Sequence, residues 1–142
     1  MKKLIALFFT FHLSLLTSFA QNECENFRAY LFNKEYQLFI RIDLCNEAIT
    51  IPGQELYGQL PGYIGRKNNS FCWIITSAEI KNRNAHLSMI NDYGSEDFTA
   101  TLSQKNDSVY VFQYNDGSTF KMPYNGKWQK LPKKLEFIRS SY

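Results

Sequence analysis

The sequence predicts an all-β fold, an antiparallel meander of about eight or nine strands that closes into a small up-and-down barrel. Short runs rich in aromatic and β-branched residues, which suit strands, recur along the chain. Most of these runs are separated by short turns, and no helical periodicity follows the N-terminal segment. A meander of this size must protect its edges, and closure into a barrel does so completely. A two-sheet β-sandwich is the alternative.

Residues 1–20 have the pattern of a secretory signal peptide, which predicts an exported protein, periplasmic or secreted. A basic start and an apolar run ending at Leu16 precede Ser18 and Ala20, small residues at positions −3 and −1 of a cleavage point. The apolar run is shorter than the roughly 20 residues that a membrane-spanning helix needs. We therefore predict a single β-barrel-like domain over residues 21–142, with no membrane span.

The net charge argues against a nucleic-acid partner. The chain has 16 Lys and Arg residues against 13 Asp and Glu residues, but Lys2 and Lys3 belong to the predicted signal peptide. The other 14 basic residues nearly balance the acids, whereas nucleic-acid binding needs a clustered basic surface. The composition does not indicate an oligomeric state.

The first two strands, "ENFRAYLF" and "EYQLFIRID", are predicted to form a hairpin with a tight turn around Asn33 and Lys34. Residues whose numbers sum to about 67–69 would then face each other, and Cys24 and Cys45 meet that condition. A disulfide between them would close the open end of the hairpin and contribute about 3 kcal/mol. Cys72 would be a buried free thiol. Three reduced cysteines, or a pair between Cys45 and Cys72, remain open.

Residues 52–69 are predicted to be one long loop, because they hold four of the seven glycines and two of the four prolines. A loop of this length is usually functional or disordered. Leu56, Tyr57 and Ile64 make it too apolar for a disordered linker. We therefore expect a glycine-hinged flap packed on one end of the barrel. It could plug that end, form an irregular extra hairpin, cover a ligand or bind a partner.

Pockets at barrel mouths are lined by aromatic residues with a few polar groups. On that ground Tyr57, Tyr63, Arg66 and Trp73 are the candidate ligand-binding residues. They would serve a small apolar or amphipathic ligand, or a protein partner.

The rest of the chain is predicted to be a regular series of strands and turns. In "AHLSMI" His86 shares one face with Ser88, and in "EDFTATLSQ" Phe98 shares one face with Leu102, the alternation of half-buried strands. Turns are predicted at "NRN", "NDYGS", "KND" and "NDG". The "NDG" at 115–117 is the strongest hairpin signal, because Asp-Gly suits a type I′ turn.

No catalytic residue, metal ligand or cofactor site is predicted, and we expect no enzyme. His86 lies mid-strand without a partner that the sequence indicates. Asp92, Glu96 and Asp97 do not fit the spacing of a calcium loop and are accounted for by turn chemistry. The glycines after residue 52 lack the GK[ST] ending of a phosphate loop.

Gly126-Lys127-Trp128 has the form of the G-x-W motif of lipocalins. The export signal and the strand meander over residues 24–139 make the chain resemble, in architecture, small secreted lipocalin-like (calycin-type) proteins of the Gram-negative envelope, which carry this motif. The resemblance implies binding of a small apolar molecule and no reaction. The motif precedes the last strand instead of opening the first, so no ligand residues can be transferred.

Two functions are therefore expected. The first is an exported β-barrel module that binds a small, partly apolar ligand at the barrel mouth. The alternative is a protein-interaction or inhibitor module that presents residues 52–69 to an envelope partner.

Overall fold

The computed structural model describes residues 23–141, so the predicted signal peptide and its cleavage point lie outside the described residues. Within that range the chain forms twelve strands, a short 3₁₀ helix, Glu55–Tyr57, and a helical turn at residues 23–25. The strands are β1 (Arg28–Asn33), β2 (Leu38–Asp43), β3 (Ile49–Thr50), β4 (Gln59–Leu60), β5 (Gly62–Arg66), β6 (Cys72–Lys81), β7 (Asn84–Asn91), β8 (Asp97–Gln104), β9 (Val109–Gly117), β10 (Lys121–Tyr124), β11 (Lys127–Lys130) and β12 (Lys134–Ser140).

Eight strands form a closed antiparallel barrel, which confirms the predicted fold class. Their order is β1-β12-β9-β8-β7-β6-β5-β2, and β2 pairs back with β1. The other four strands form two hairpins that interrupt the meander. Hairpin β3–β4 lies between β2 and β5 in the chain, and hairpin β10–β11 lies between β9 and β12. Each insertion leaves its flanking strands paired as neighbours in the barrel.

Side chains fill the interior of the barrel. Along β7 the inward residues Ala85, Leu87 and Met89 are buried, while the residues between them are exposed or half-buried, as a strand with one face toward the core requires. The largest fully buried side chains include Trp73 and Phe112. The interior is thus a close-packed hydrophobic core of the kind that stabilises a small domain.

Hairpin β10–β11 covers the barrel end at which the β5–β6 and β7–β8 turns lie; we call this the capped end. Phe120, Met122 and Leu131, in and beside the hairpin, are buried in the same cluster as the barrel interior. The indole N–H of Trp73 donates a hydrogen bond to the carbonyl oxygen of Lys121 at 2.9 Å. The hairpin therefore extends the core and excludes water from this end.

The opposite end carries the Cys24–Cys45 disulfide, which confirms the predicted pairing. It holds the start of the chain to the end of β2, and Phe27 is fully buried beside it. The predicted register was wrong by two residues, because Arg28 faces Asp43. The turn between β1 and β2 spans four residues, 34–37, and not a tight turn at Asn33 and Lys34.

The prediction of one loop over residues 52–69 was wrong, because Gly62–Arg66 is a fully buried barrel strand. A Cβ atom on Gly62 would lie 2.1 Å from the carbonyl oxygen of Arg41, and one on Gly65 would lie 2.5 Å from Cζ of Phe39. These glycines are therefore sites where β5 passes close to β2. Glycine serves such contacts as well as turns, and the sequence alone does not distinguish the two uses.

The predicted hairpin turn at 115–117 was also wrong. Asp116 and Gly117 are the extended end of β9 and pair with Thr99 and Phe98 of β8. The type I′ turn instead lies at Asn125-Gly126, between β10 and β11, where both residues have positive φ (50° and 76°). The glycine of the G-x-W motif is thus a turn residue.

We expect Gly62→Ala to lower the free energy of unfolding by about 3 kcal/mol or more. Gly62 has a φ of +156°, and backbone strain of about 1–3 kcal/mol there adds to overpacking of about 1–3 kcal/mol against Arg41. Gly126→Ala is the matched control, because its φ is positive but its Cβ would meet nothing within 4 Å; it should cost about 1–2 kcal/mol. Urea unfolding monitored by tryptophan fluorescence measures both. Equal losses of unfolding free energy in the two variants would contradict the close contact at Gly62.

Replacing Cys24 and Cys45 together by alanine should lower the free energy of unfolding by about 3 kcal/mol, the loop-entropy value for a 21-residue separation. Cys72→Ala, which leaves the disulfide intact, is the control for loss of a sulfur atom. Thermal denaturation with and without a reductant is the measurement. Wild type should lose stability on reduction, and the double variant should not respond. A response of the double variant equal to that of wild type would contradict the assignment.

Candidate functional site

Hairpin β3–β4 with its connecting loop, residues 49–60, forms a flap on the outer wall of the barrel. Ile49 and Ile51 are buried there against the outward-facing residues Cys72 and Ile74 of β6. The expectation that the flap packs on one end of the barrel was therefore wrong. The physical reason is that the first half of β6 is apolar on both faces, so its outer face also has to be covered.

The tip of the flap reaches the turn between β7 and β8. The side-chain amide of Gln54 donates a hydrogen bond to the carbonyl oxygen of Asp92 at 3.2 Å. The hydroxyl of Tyr57 lies 3.9 Å from the position that a Cβ atom on Gly94 would take. Leu56, on the same 3₁₀ turn, is fully exposed. The base of the flap is thus buried, and its tip presents apolar side chains to solvent.

The flap tip continues into a set of exposed aromatic residues at the capped end. The buried ring of Phe71 connects two of these residues. Its centroid lies 6.2 Å from that of Tyr93 and 5.0 Å from that of Trp128. The exposed fraction is 50% for Tyr57, 76% for Tyr93 and 53% for Trp128. We call Leu56, Tyr57, Tyr93 and Trp128 the aromatic surface. Exposed apolar side chains that cluster in this way mark interaction sites.

A groove of about 450 Å³ separates the flap from the barrel wall. Gly53 and Gln54 of the flap line one side, the aromatic rings of Phe39 and Tyr63 line the other, and Gly65 lies between them. The rings of Phe39 and Tyr63 meet edge to face, with centroids 5.6 Å apart. Because Gly65 has no side chain, the ring of Phe39 can lie directly over β5 at this point of the wall.

The end of the groove is formed by Asp92 and Cys72. Oδ1 of Asp92 is buried and has no hydrogen-bond partner among the described residues. Burial raises the pKa of Asp92, and hydrogen bonds from the backbone N–H groups of Cys72, Asp92 and Tyr93 to the carboxyl partly offset this. The carboxylate is therefore less well solvated than an exposed one, and a cation brought to it would be favoured.

Cys72 is a buried free thiol, as predicted. Burial raises its pKa to about 12, and the nearby charge of Asp92 acts in the same direction. Since the thiolate is the reactive form of cysteine, this side chain is inert at neutral pH and packs as an apolar group.

The structure brings two of the four predicted site residues to the flap. Tyr57 is on its exposed tip, and Tyr63 lines the groove beneath it. Trp73 is fully buried in the core, with its indole N–H bonded to hairpin β10–β11. Arg66 is also buried, so these two predicted residues hold the cap of the barrel together.

The guanidinium of Arg66 forms three hydrogen bonds with neighbouring segments at the capped end. It donates to the carbonyl oxygens of Tyr36 at 2.9 Å and Pro123 at 2.8 Å, and to Oε1 of Gln129 at 2.6 Å. The ring of Tyr124 lies 4.9 Å from its central carbon. Burial lowers the pKa of Arg66, and the surrounding acceptors compensate for the lost hydration.

Sequence reasoning missed three residues of this region as site candidates: Asp92, Tyr93 and Trp128. Asp92 was assigned to turn chemistry, and the turn it belongs to is present. A signal was available in the large aromatic residue of "NDYGS", since turn tips usually carry small polar residues. The flap that lines the groove together with Asp92 lies 38 residues earlier in the chain, so its approach left no local signal in the sequence.

The acidic residues near this turn do not converge on a common site. Glu96 pairs with Lys121 at 3.2 Å, and Asp97 is exposed on β8. His86 is exposed on the barrel wall, where Nδ1 lies 3.3 Å from the hydroxyl of Thr101. Within residues 23–141 no three His, Cys, Asp or Glu side chains converge in a way that could hold a metal ion.

Comparison with known proteins gives no relative: no protein-family model matches the chain, and no curated protein or solved structure matches it. The described part of the chain contains no helix that is long and apolar enough to cross a membrane. The fold and the site define the class as a small closed β-barrel with a disulfide, a filled core and one flap groove. The resemblance to lipocalin-like proteins stays a prediction.

We expect Asp92→Asn to stabilise the protein at neutral pH. A carboxyl whose pKa is raised by folding contributes most below its unfolded-state pKa, and the contribution is lost as the pH rises through the folded-state value. The free energy of unfolding of the variant should therefore exceed that of wild type at pH values above the folded-state pKa, and the two values should converge in acid. Asp97→Asn controls for the loss of one negative charge. Urea unfolding at several pH values checks this, and a gain that persists unchanged in acid would contradict it.

Proposed function

We propose that the protein is an exported interaction module, periplasmic or secreted, that binds a protein partner through the aromatic surface. The observation that carries the proposal is the exposure of Leu56, Tyr57, Tyr93 and Trp128 at the flap tip and the capped end. Phe71 contacts both Tyr93 and Trp128, and the Tyr57 hydroxyl approaches the turn that carries Tyr93. Tyrosine and tryptophan are enriched in interface cores and supply most binding hot spots. A contiguous set of such residues would be costly to leave in water.

The scaffold under this surface supports the proposal. The core is filled, the disulfide ties down the first hairpin, and Phe71 packs beneath both Tyr93 and Trp128. A surface held in place before binding loses less conformational entropy when a partner arrives. A filled interior also favours recognition on the outside of the barrel over a ligand within it.

A second candidate is a small, partly apolar ligand in the groove, in keeping with the lipocalin-like resemblance. The groove volume of about 450 Å³ falls in the range of about 300–1,000 Å³ for ligand pockets. Both candidates are binding functions, and we propose neither a reaction nor a cofactor. The disulfide supports an oxidising compartment, which underlies the proposed export.

Site-specific photo-crosslinking in the envelope of the native host tests the partner. A crosslinking amino acid at Tyr57 or Trp128 should form an adduct with one and the same protein. Ile138 is the control position, because it is 45% exposed on β12, on the opposite side of the barrel from β6. The same adduct at Ile138, or none at Tyr57 and Trp128, would refute the proposal.

Binding measured with the purified partner then separates specific recognition from mere proximity. Leu56→Ser and Trp128→Ser should each raise the Kd about tenfold or more, as loss of a buried apolar anchor does. Ile138→Ser should leave the Kd unchanged. If the two sets of variants bind equally well, the aromatic surface is not the binding site.

The small-ligand alternative has its own measurement. Native mass spectrometry of protein purified from its host would reveal a retained ligand as a mass increment. Ser70→Trp, which places a large ring at the exposed margin of the groove, should remove that increment. An increment that survives this change would place the ligand elsewhere.

A further inference from the structure

The groove beneath the flap has a polar end that the aromatic surface does not explain. Asp92 is its one charged lining residue within the described chain, and no Lys or Arg side chain lines it. The buried Oδ1 of this carboxylate has no hydrogen-bond partner among residues 23–141. No basic side chain of the groove compensates the charge of this carboxylate, so a cation that enters the groove would be attracted to it.

The rest of the groove suits an apolar stem. Phe39 and Tyr63 form one side, where the ring of Phe39 lies over Gly65, and Phe71 lines the groove near Asp92. Lysine and arginine side chains combine a methylene stem, which packs on apolar surface, with a cationic head. Aromatic faces attract that cation as well. The groove therefore complements a basic side chain along its whole length.

The groove lies next to the aromatic surface. Tyr57 approaches Gly94, two residues beyond Asp92, and Tyr93 is the residue between them. Phe71 lines the groove and also contacts the ring of Tyr93. A segment bound across the aromatic surface would thus bring a neighbouring side chain to the open end of the groove.

We propose that the groove receives a lysine or arginine side chain of the partner protein, with its cationic head on the Asp92 carboxylate and its stem between the flap and the Phe39–Tyr63 wall. The inference rests on the proposed function, since the partner supplies the side chain. It adds a charge requirement: the segment that covers the aromatic surface carries a basic residue. The groove then fixes the orientation of that segment, because the carboxylate lies at one end only.

Blocked tripeptides provide the probe, because the partner is unidentified. The pair consists of N-acetyl-Gly-Lys-Gly-amide and the same peptide with norleucine, which keeps the stem and removes the charge. Amide chemical shifts of Gly53, Gly65, Cys72 and Asp92 in the isotope-labelled mature chain report binding in the groove. We expect saturable shifts with the lysine peptide and about fivefold weaker binding of the norleucine peptide, the range of one partly exposed ion pair.

Asp92→Asn should abolish the preference for lysine and leave norleucine binding unchanged. Asp97→Asn, which removes an acid that does not line the groove, should keep the preference. Equal affinity of wild type for both peptides, a preference that survives Asp92→Asn, or shifts outside the groove would overturn the inference. Binding of n-butylammonium as tight as that of the lysine peptide would also overturn it, in favour of a free amine ligand.

Different experimental results would refute the proposed function and this inference. If crosslinks at Tyr57 and Trp128 identify a partner but Asp92→Asn binds it as tightly as wild type, the interaction module stands and the basic side chain does not. If the lysine preference is present but no crosslink forms, the groove recognises a cation and the proposed partner surface is refuted.

Discussion

The close contact between β2 and β5 is the constraint on which both the fold and the site depend. The chain leaves the barrel after β2, forms the flap and returns at Gly62, where any Cβ atom would overlap the backbone of Arg41. Three residues later Gly65 lies against the ring of Phe39. The first glycine lets the barrel close beside the insertion, and the second makes room for the ring of Phe39, which forms one side of the groove. A side chain at either position would push β2 away from β5, and at Gly65 it would also displace the groove wall.

The two insertions cover two different apolar surfaces of the barrel. The flap covers an outer wall that is apolar because β6 is buried on both faces, and hairpin β10–β11 covers the open end of the core. Each lies between strands that remain paired, so the up-and-down topology is preserved. The exposed aromatic residues come from these insertions and from one turn, as expected of binding residues carried by connections on a rigid scaffold.

The sequence predicted the parts of the fold that rest on local patterns. Alternation located β7 and β8, and hairpin geometry paired Cys24 with Cys45 even though the register was two residues off. The sequence-based prediction failed where a glycine allows close contact with a strand distant in the chain, because Gly62 and Gly65 were assigned to a loop. The candidate site shows the same limit, because whether a polar or aromatic residue is free to bind depends on what packs against it. Arg66 has the residue type of a ligand contact, yet its donors are used by the cap.

The flap couples the two proposed binding features through Asp92. Its backbone oxygen accepts the hydrogen bond from Gln54 that holds the flap tip, and its side chain forms the charged end of the groove. Ile49 and Ile51 bury the base of the flap. A cation on the carboxylate and an anchor over Tyr57 would therefore add contacts to the same part of the flap that the Gln54 hydrogen bond already holds in place.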